Sequence, residues 1–193
     1  MRTYRLLTLA LACAALPGRL AAQAVLDDPA LDSVQIVLRD AVYRLRDSLT
    51  LVDAATARIA RDLRTTSDPA LRSRARAVAD RCAAAVKTIP VTRTIIALNP
   101  RPASDPRRAR EQMDRALLTL EAELKGCVTE FERLSARGQE AELRGYGIGR
   151  GEKVRTAVRA FQPAAESYFG AALGVRYRPR TDGSIPSPST NGS

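Results

Sequence analysis

The chain has 193 residues, an ordinary length for one domain, and 45% of them are hydrophobic although only 4% are aromatic. It contains no histidine, which excludes a Ser-His-Asp triad, a histidine-ligated zinc or haem site and a histidine proton switch near neutral pH. The formal net charge of +10 favours acidic partners, although nearly exclusive use of arginine is also expected from base-composition bias. The sequence therefore predicts a protein that is not an enzyme and has no catalytic residues, no metal site and no cofactor.

Residues 1–24 have the pattern of an export signal. Two arginines precede an apolar stretch at residues 6–16, and Ala22-Gln23-Ala24 has the small-x-small pattern that signal peptidase cleaves. An uncleaved anchor is one alternative, but a membrane span needs about 20 apolar residues. A lipoprotein cleaved before Cys13 is another, and the residues before that cysteine fit its motif poorly. Cleavage after residue 24 is favoured, and it predicts a periplasmic or secreted protein with no integral membrane span.

Four segments follow in which apolar residues recur every three or four positions, the spacing of an amphipathic helix. The first is expected to run from Asp28-Pro29 to about Thr66. The second opens at Ser67-Asp68-Pro69, and Pro90 is expected to kink or end it because proline removes a backbone donor. Residues 91–98 are compatible with either a helix or an extended strap.

The third segment, residues 104–143, is the longest and opens at Asp105-Pro106. After it, residues 145–151 contain four glycines, which predicts a flexible connection between helices. A phosphate-binding loop is the alternative, but such loops follow a β-strand and none is evident. The fourth segment has Pro163 as an expected kink and Gly174 near its C-terminal cap.

These patterns together predict an all-α protein. Residues 25–175 are expected to form an up-down bundle of about four long amphipathic helices. This bundle follows the signal peptide of residues 1–24. It precedes a C-terminal tail, residues 176–193, which is rich in Pro, Ser, Thr and Gly and is predicted to be disordered.

Signal cleavage would remove Cys13 and leave Cys82 and Cys127. Two cysteines in an exported chain predict one disulfide, and both lie on apolar stripes that would face a shared core. Their register is only approximate, and a kink at Pro90 with an extended 91–98 segment would correct it. The alternative is a pair of buried free thiols.

Basic residues cluster near two of the connections. In an up-down bundle the first–second and third–fourth connections lie at the same end, so their arginines are expected to form a positive pole. The residues assigned to this anion-binding or surface-binding pole are Arg58, Arg61, Arg64, Arg72, Arg74, Arg76, Arg144, Arg150, Lys153 and Arg155.

An exported bundle with a positive pole is predicted to be a structural or adaptor module of the cell envelope. Its expected partners are anionic lipid, a lipopolysaccharide surface or another envelope protein, and a homodimer is compatible with the pattern. Nucleic acid is not an expected partner, because an exported protein does not meet it and because aromatic residues are not interleaved with the basic ones. The alternative is a periplasmic carrier or holdase-type chaperone that binds an apolar ligand or client in a groove between helices.

Overall fold

The computed structural model describes residues 31–65, 70–98, 107–137 and 141–178, which form four α-helices and no β-strand. The helices are α1 (Ser33–Thr65), α2 (Ala70–Leu98), α3 (Arg107–Arg137) and α4 (Ala141–Leu173). The prediction of an all-α protein with four long helices is confirmed. The expected signal peptide, most of the expected tail and the three Asp-Pro openings lie outside the described residues.

The apolar stripes seen in the sequence form the core of the bundle. The stripe of α3 consists of its eight buried residues, Ala109, Met113, Leu117, Leu120, Leu124, Cys127, Phe131 and Leu134. The one polar member of the α1 stripe, Thr56, is also buried, and its hydroxyl donates a hydrogen bond of 2.9 Å to the carbonyl oxygen of Val52. This bond satisfies the hydroxyl inside the core, where an unpaired polar group is costly.

Each helix packs against two neighbours in a closed ring: α1 against α2 and α4, and α3 against α2 and α4. Neighbouring helices are antiparallel, because along each interface the residue numbers rise on one helix and fall on the other. Between α2 and α3, Arg93 lies 2.9 Å from Asp114 and Arg76 lies 3.8 Å from Glu132. The other neighbouring pairs follow the same inverse order. These contacts are the ones expected of an up-down bundle.

The start of the first helix differs from the sequence-based expectation. α1 begins at Ser33 rather than at Asp28-Pro29, because Asp32 forms a capping box. The Asp32 amide donates to the Gln35 side-chain oxygen at 3.0 Å, and the Gln35 amide donates to the Asp32 carboxylate at 2.8 Å. At the opposite end of the chain, Gly174 has a φ of 66°, which confirms it as the residue that terminates α4.

Pro90 does not end α2, and residues 91–98 are helical. Pro90 is exposed, whereas Thr92 and Ile96 beyond it are buried against the core. The burial of those residues offsets the loss of one backbone hydrogen bond. α4 likewise continues through Pro163.

The prediction that residues 145–151 form a flexible connection is wrong, because they lie inside α4. Two of the four glycines face neighbouring helices. A Cβ atom at Gly147 would overlap the side chain of Leu134, and one at Gly151 would meet Thr56 at 3.7 Å. The glycines therefore allow α4 to pack closely on α1 and α3, and tertiary packing outweighs their low helix propensity.

The first residues beyond α4 also pack on the bundle. Tyr177 lies in the segment expected to be a tail, yet it is buried, with its ring centroid 5.1 Å from that of Phe169 and 5.8 Å from that of Tyr43. Arg46 stacks on the Tyr43 ring at 4.3 Å and donates a hydrogen bond to the carbonyl oxygen of Arg178. The packed structure therefore continues past residue 175.

Candidate anion-binding site at one end of the bundle

One end of the bundle brings together the parts of α1, α2 and α4 that carry the predicted basic pole. Arg74 at the start of α2 lies 2.8 Å from Asp62 near the end of α1. Gly147 near the start of α4 lies beside Leu63 of α1 and Leu134 of α3. We call this region the basic end, and it comprises residues 58–80 and 130–153.

Charge is not distributed evenly over the basic end. The α1–α2 side, residues 58–80, has six arginines and three aspartates in its sequence. The α3–α4 side, residues 130–153, has five basic residues and five glutamates. The excess of positive charge therefore lies on the α1–α2 side, whereas the sequence-based expectation was one uniform positive pole.

Six of the ten predicted pole residues already have an interaction partner. Arg74, Arg76, Arg150 and Arg155 form ion pairs, and Arg61 and Arg144 are also engaged. The remaining four are exposed and make no ion pair with any residue that the structure describes. They are Arg58, Arg64, Arg72 and Lys153.

Arg150 is directed toward α3 instead of the exposed end. Its Nη1 lies 2.6 Å from the Glu123 carboxylate, and its side chain is 27% exposed. The guanidinium occupies the space next to Gly126, where a Cβ atom would come within 2.7 Å of Nη1. Arg155 pairs with Glu152 on its own helix and is similarly shielded. These two arginines stabilise the bundle more than they add to an anion-binding surface.

Arg72 lies in the first turn of α2, where the partial positive charge of the helix dipole opposes it, and Arg74 and Arg76 follow in the next turn. The first turn of α2 contains no acidic residue. Each positive charge in this position costs about 0.3–1 kcal/mol of helix stability. Arg74 and Arg76 form ion pairs, but Arg72 has none with a described residue. Arg64, in contrast, lies in the last turn of α1, where the dipole favours it.

The structure contains the predicted disulfide between Cys82 and Cys127, with a Cα–Cα distance of 6.2 Å. Both cysteines are fully buried between α2 and α3. Their register does not require the expected extended segment, because residues 91–98 are helical and the two cysteines still meet. The bond connects α2, which begins on the α1–α2 side of the basic end, with α3, which ends on the α3–α4 side.

No protein-family model, curated protein or solved structure matches the chain. The geometry of the described residues is therefore the basis for inference. Within them, no helix has an apolar stretch long enough to cross a membrane. The same residues contain no group of three cysteine or acidic side chains placed to hold a metal ion.

Two clefts lie on the outside of the bundle. One, of about 170 Å³ between α1 and α4, is lined by Asp53, Arg159 and Tyr177 among others. Burial raises the pKa of Tyr177 well above its usual value, and the nearby Arg46 opposes this shift. The other cleft, of about 100 Å³, lies between α1 and α2. Both are smaller than small-molecule pockets, which usually enclose roughly 300–1,000 Å³.

The smaller cleft adds a basic residue that sequence analysis missed. Arg81 lines it together with Arg58 and Arg74 from the predicted pole. The sequence contained a usable signal, because Arg74 and Arg81 are seven residues apart and therefore share one face of a helix.

Proposed function

We propose that the protein is an exported, non-enzymatic module of the cell envelope whose basic end binds anionic membrane surfaces. The surface in question carries the phosphate groups of lipid or lipopolysaccharide. The observation that carries this proposal is the pair Arg64 and Arg72, which flank the α1–α2 connection, are exposed, and have no ion pair within the described residues. Arg72 also lies in the first turn of α2, where a positive charge is opposed by the helix dipole.

Electrostatics give such a surface a useful but moderate affinity. Each arginine near an anionic bilayer contributes about 1 kcal/mol. With Arg58 included, three exposed arginines on the α1–α2 side contribute about 3 kcal/mol, a partition advantage of roughly 150-fold over a neutral surface. Attachment of this strength is reversible. It is also sensitive to salt, because charges are screened over about 8–10 Å at physiological ionic strength.

Two observations support export to the periplasm or the exterior. Residues 1–24 have the composition and cleavage pattern of a signal peptide. The Cys82–Cys127 disulfide is typical of oxidising compartments and rare in the cytosol. Purification after expression of the full sequence in an exporting cell, followed by N-terminal sequencing, is expected to give Val25 as the first residue.

A carrier or holdase is the second candidate. Several large apolar side chains are exposed toward the end opposite the basic end, and these are Val34, Ile36, Val37, Val91 and Leu98. Neither described cleft has the volume of a ligand pocket, which is why we favour the surface-binding function. Strong binding of a hydrophobic fluorescent dye to the native protein would favour the carrier.

Charge reversal tests the surface-binding proposal. The double variant Arg64→Glu/Arg72→Glu is compared with a matched control at the other end of the bundle, Arg107→Glu/Arg108→Glu, which changes net charge equally. Co-sedimentation with anionic vesicles is expected to fall at least about thirtyfold for the first variant, since two charges contribute about 2 kcal/mol. The control is expected to lose much less. Equal losses in both variants would contradict a defined basic end.

A further inference from the structure

A cleft between α1 and α2, at the border of the basic end, is lined by three arginine side chains. Arg58 comes from α1, and Arg74 and Arg81 come from α2. The cleft is also lined by small side chains, those of Ala54, Ala55 and Ala77. Because alanine is small, these residues leave room between the two packed helices.

The three arginines surround the cleft because of their spacing along the helices. Arg74 and Arg81 are two turns apart on one face of α2, a rise of about 10 Å. Arg74 is level with Asp62 across the interface, and the helices run in opposite directions. Arg58, one turn before Asp62, is therefore level with the middle of the interval between the two α2 arginines.

The charges of this cleft are not balanced by the protein. Asp62 is its single acidic residue, and its Oδ2 lies 2.8 Å from Arg74 Nη1 without the alignment of a hydrogen bond. Arg81 donates one long hydrogen bond, 3.4 Å, to the carbonyl oxygen of Leu51. Arg58 makes no ion pair with a described residue. Since arginine does not lose its proton at any physiological pH, the cleft keeps three positive charges against one negative charge.

We propose that this cleft binds a single phosphate group. Guanidinium groups form paired, charge-assisted hydrogen bonds with phosphate oxygens. A phosphate monoester carries a charge of about −1.5 to −2 at neutral pH, which matches the positive excess of the cleft better than a singly charged carboxylate does. A volume of about 100 Å³ admits one such group and leaves the rest of the ligand outside. The inference rests on the proposed function, because it identifies the phosphate of a lipid or lipopolysaccharide head group as what the surface recognises.

Titration with inorganic phosphate tests the cleft without any membrane. The purified processed protein is titrated at constant ionic strength, with chloride and acetate as comparison anions, and the arginine Nε–H and backbone amide resonances are followed by NMR. Saturable shifts centred on Arg58, Arg74 and Arg81 are expected with phosphate only. The double variant Arg58→Gln/Arg81→Gln is expected to raise the Kd for phosphate at least about tenfold, as charge-assisted bonds are lost. The matched variant Arg107→Gln/Arg108→Gln is expected to leave it unchanged.

The proposed phosphate site would be overturned by an unchanged Kd for phosphate in Arg58→Gln/Arg81→Gln. Resonance shifts that grow linearly with phosphate and do not saturate would also overturn it. The proposed function would still stand if Arg64→Glu/Arg72→Glu abolished vesicle binding. Conversely, saturable phosphate binding without binding to any vesicle would support the phosphate site and contradict membrane binding. The ligand would then be a soluble phosphate compound. Vesicles with phosphatidic acid are expected to bind more tightly than phosphatidylserine vesicles of equal charge, and equal binding would count against phosphate recognition on membranes.

Discussion

Arg150 of α4 and Glu123 of α3 form an ion pair of 2.6 Å in which both side chains are largely shielded from solvent. This pair shows that a basic residue at this end of the bundle can belong to the framework of the fold. Arg72 differs in both respects, since it is exposed and has no ion pair with a described residue. Arginines at this end of the bundle therefore differ, since some join helices and others remain exposed without an ion pair to a described residue.

Arg72→Glu is expected to separate stability from binding. Replacement of a positive by a negative charge in the first turn of α2 improves the interaction with the helix dipole, so the free energy of unfolding should rise by about 1 kcal/mol. Partition onto anionic vesicles should fall in the same variant. Urea denaturation and co-sedimentation at the same low salt concentration measure the two effects. A variant that lost both stability and binding would show that Arg72 has a structural role.

Loss of the disulfide is expected to destabilise the protein strongly. Cys82 and Cys127 are 45 residues apart in sequence, and closure of a loop of that length contributes about 4 kcal/mol in the chain-entropy model. Urea denaturation with and without reductant should therefore give clearly different midpoints. The double variant Cys82→Ala/Cys127→Ala is the control, and reductant should not change its midpoint. A wild-type protein that alkylates fully when unfolded without reductant has no such bond.

The glycines of α4 are expected to respond in opposite ways to substitution by alanine. Gly145 and Gly149 have open space where a Cβ atom would lie, so alanine there should raise stability by about 1 kcal/mol per site through helix propensity. Gly147 faces the buried Leu134, and the overlap should outweigh that gain and lower stability by about 1 kcal/mol. Urea midpoints of the three single variants measure this. A stabilised Gly147→Ala variant would contradict the close approach of α4 to α3.

Tyr177 is expected to make the protein sensitive to alkaline pH. Burial raises the pKa of this hydroxyl, so the folded protein retains the proton at pH values where the unfolded chain, with a pKa of about 10, has lost it. The stabilisation is fully present below pH of about 10 and is lost as pH rises further, with a slope of up to about 1.4 kcal/mol per pH unit. Tyr177→Phe should remove this slope, whereas the exposed Tyr146→Phe should retain it. Urea denaturation between pH 8 and 11 compares them. Identical slopes for both variants would mean that Tyr177 does not govern the loss.

The helical core was predictable because burial follows a simple period. The stripe of α3 follows from three/four spacing alone, and the Cys82–Cys127 pair follows from that spacing together with the expectation of export. Helix ends were harder to predict from the sequence, because the cap at Asp32 depends on one reciprocal pair of hydrogen bonds. Residues 145–151 were assigned wrongly because local glycine propensity favours a connection, and only the neighbouring side chain of Leu134 reveals why the helix continues.

The candidate site was predictable in its location but not in its detail. Connection order places the arginines at one end, as expected for antiparallel neighbours. Sequence could not separate Arg150, whose side chain turns toward Glu123, from Arg72, because side-chain direction decides which charges are paired. The cleft that includes Arg81 depends on small residues facing one another across two helices, which is a property of the register between them.

Binding of the purified processed protein to vesicles across a salt series is the decisive test of membrane attachment through the basic end. Vesicles of neutral lipid and vesicles with a fixed fraction of anionic lipid are compared at low and high salt. We expect binding to anionic vesicles at low salt, progressive loss as salt screens the arginines, and no binding to neutral vesicles. Equal binding to both vesicle types, or none to anionic vesicles at low salt, would contradict it.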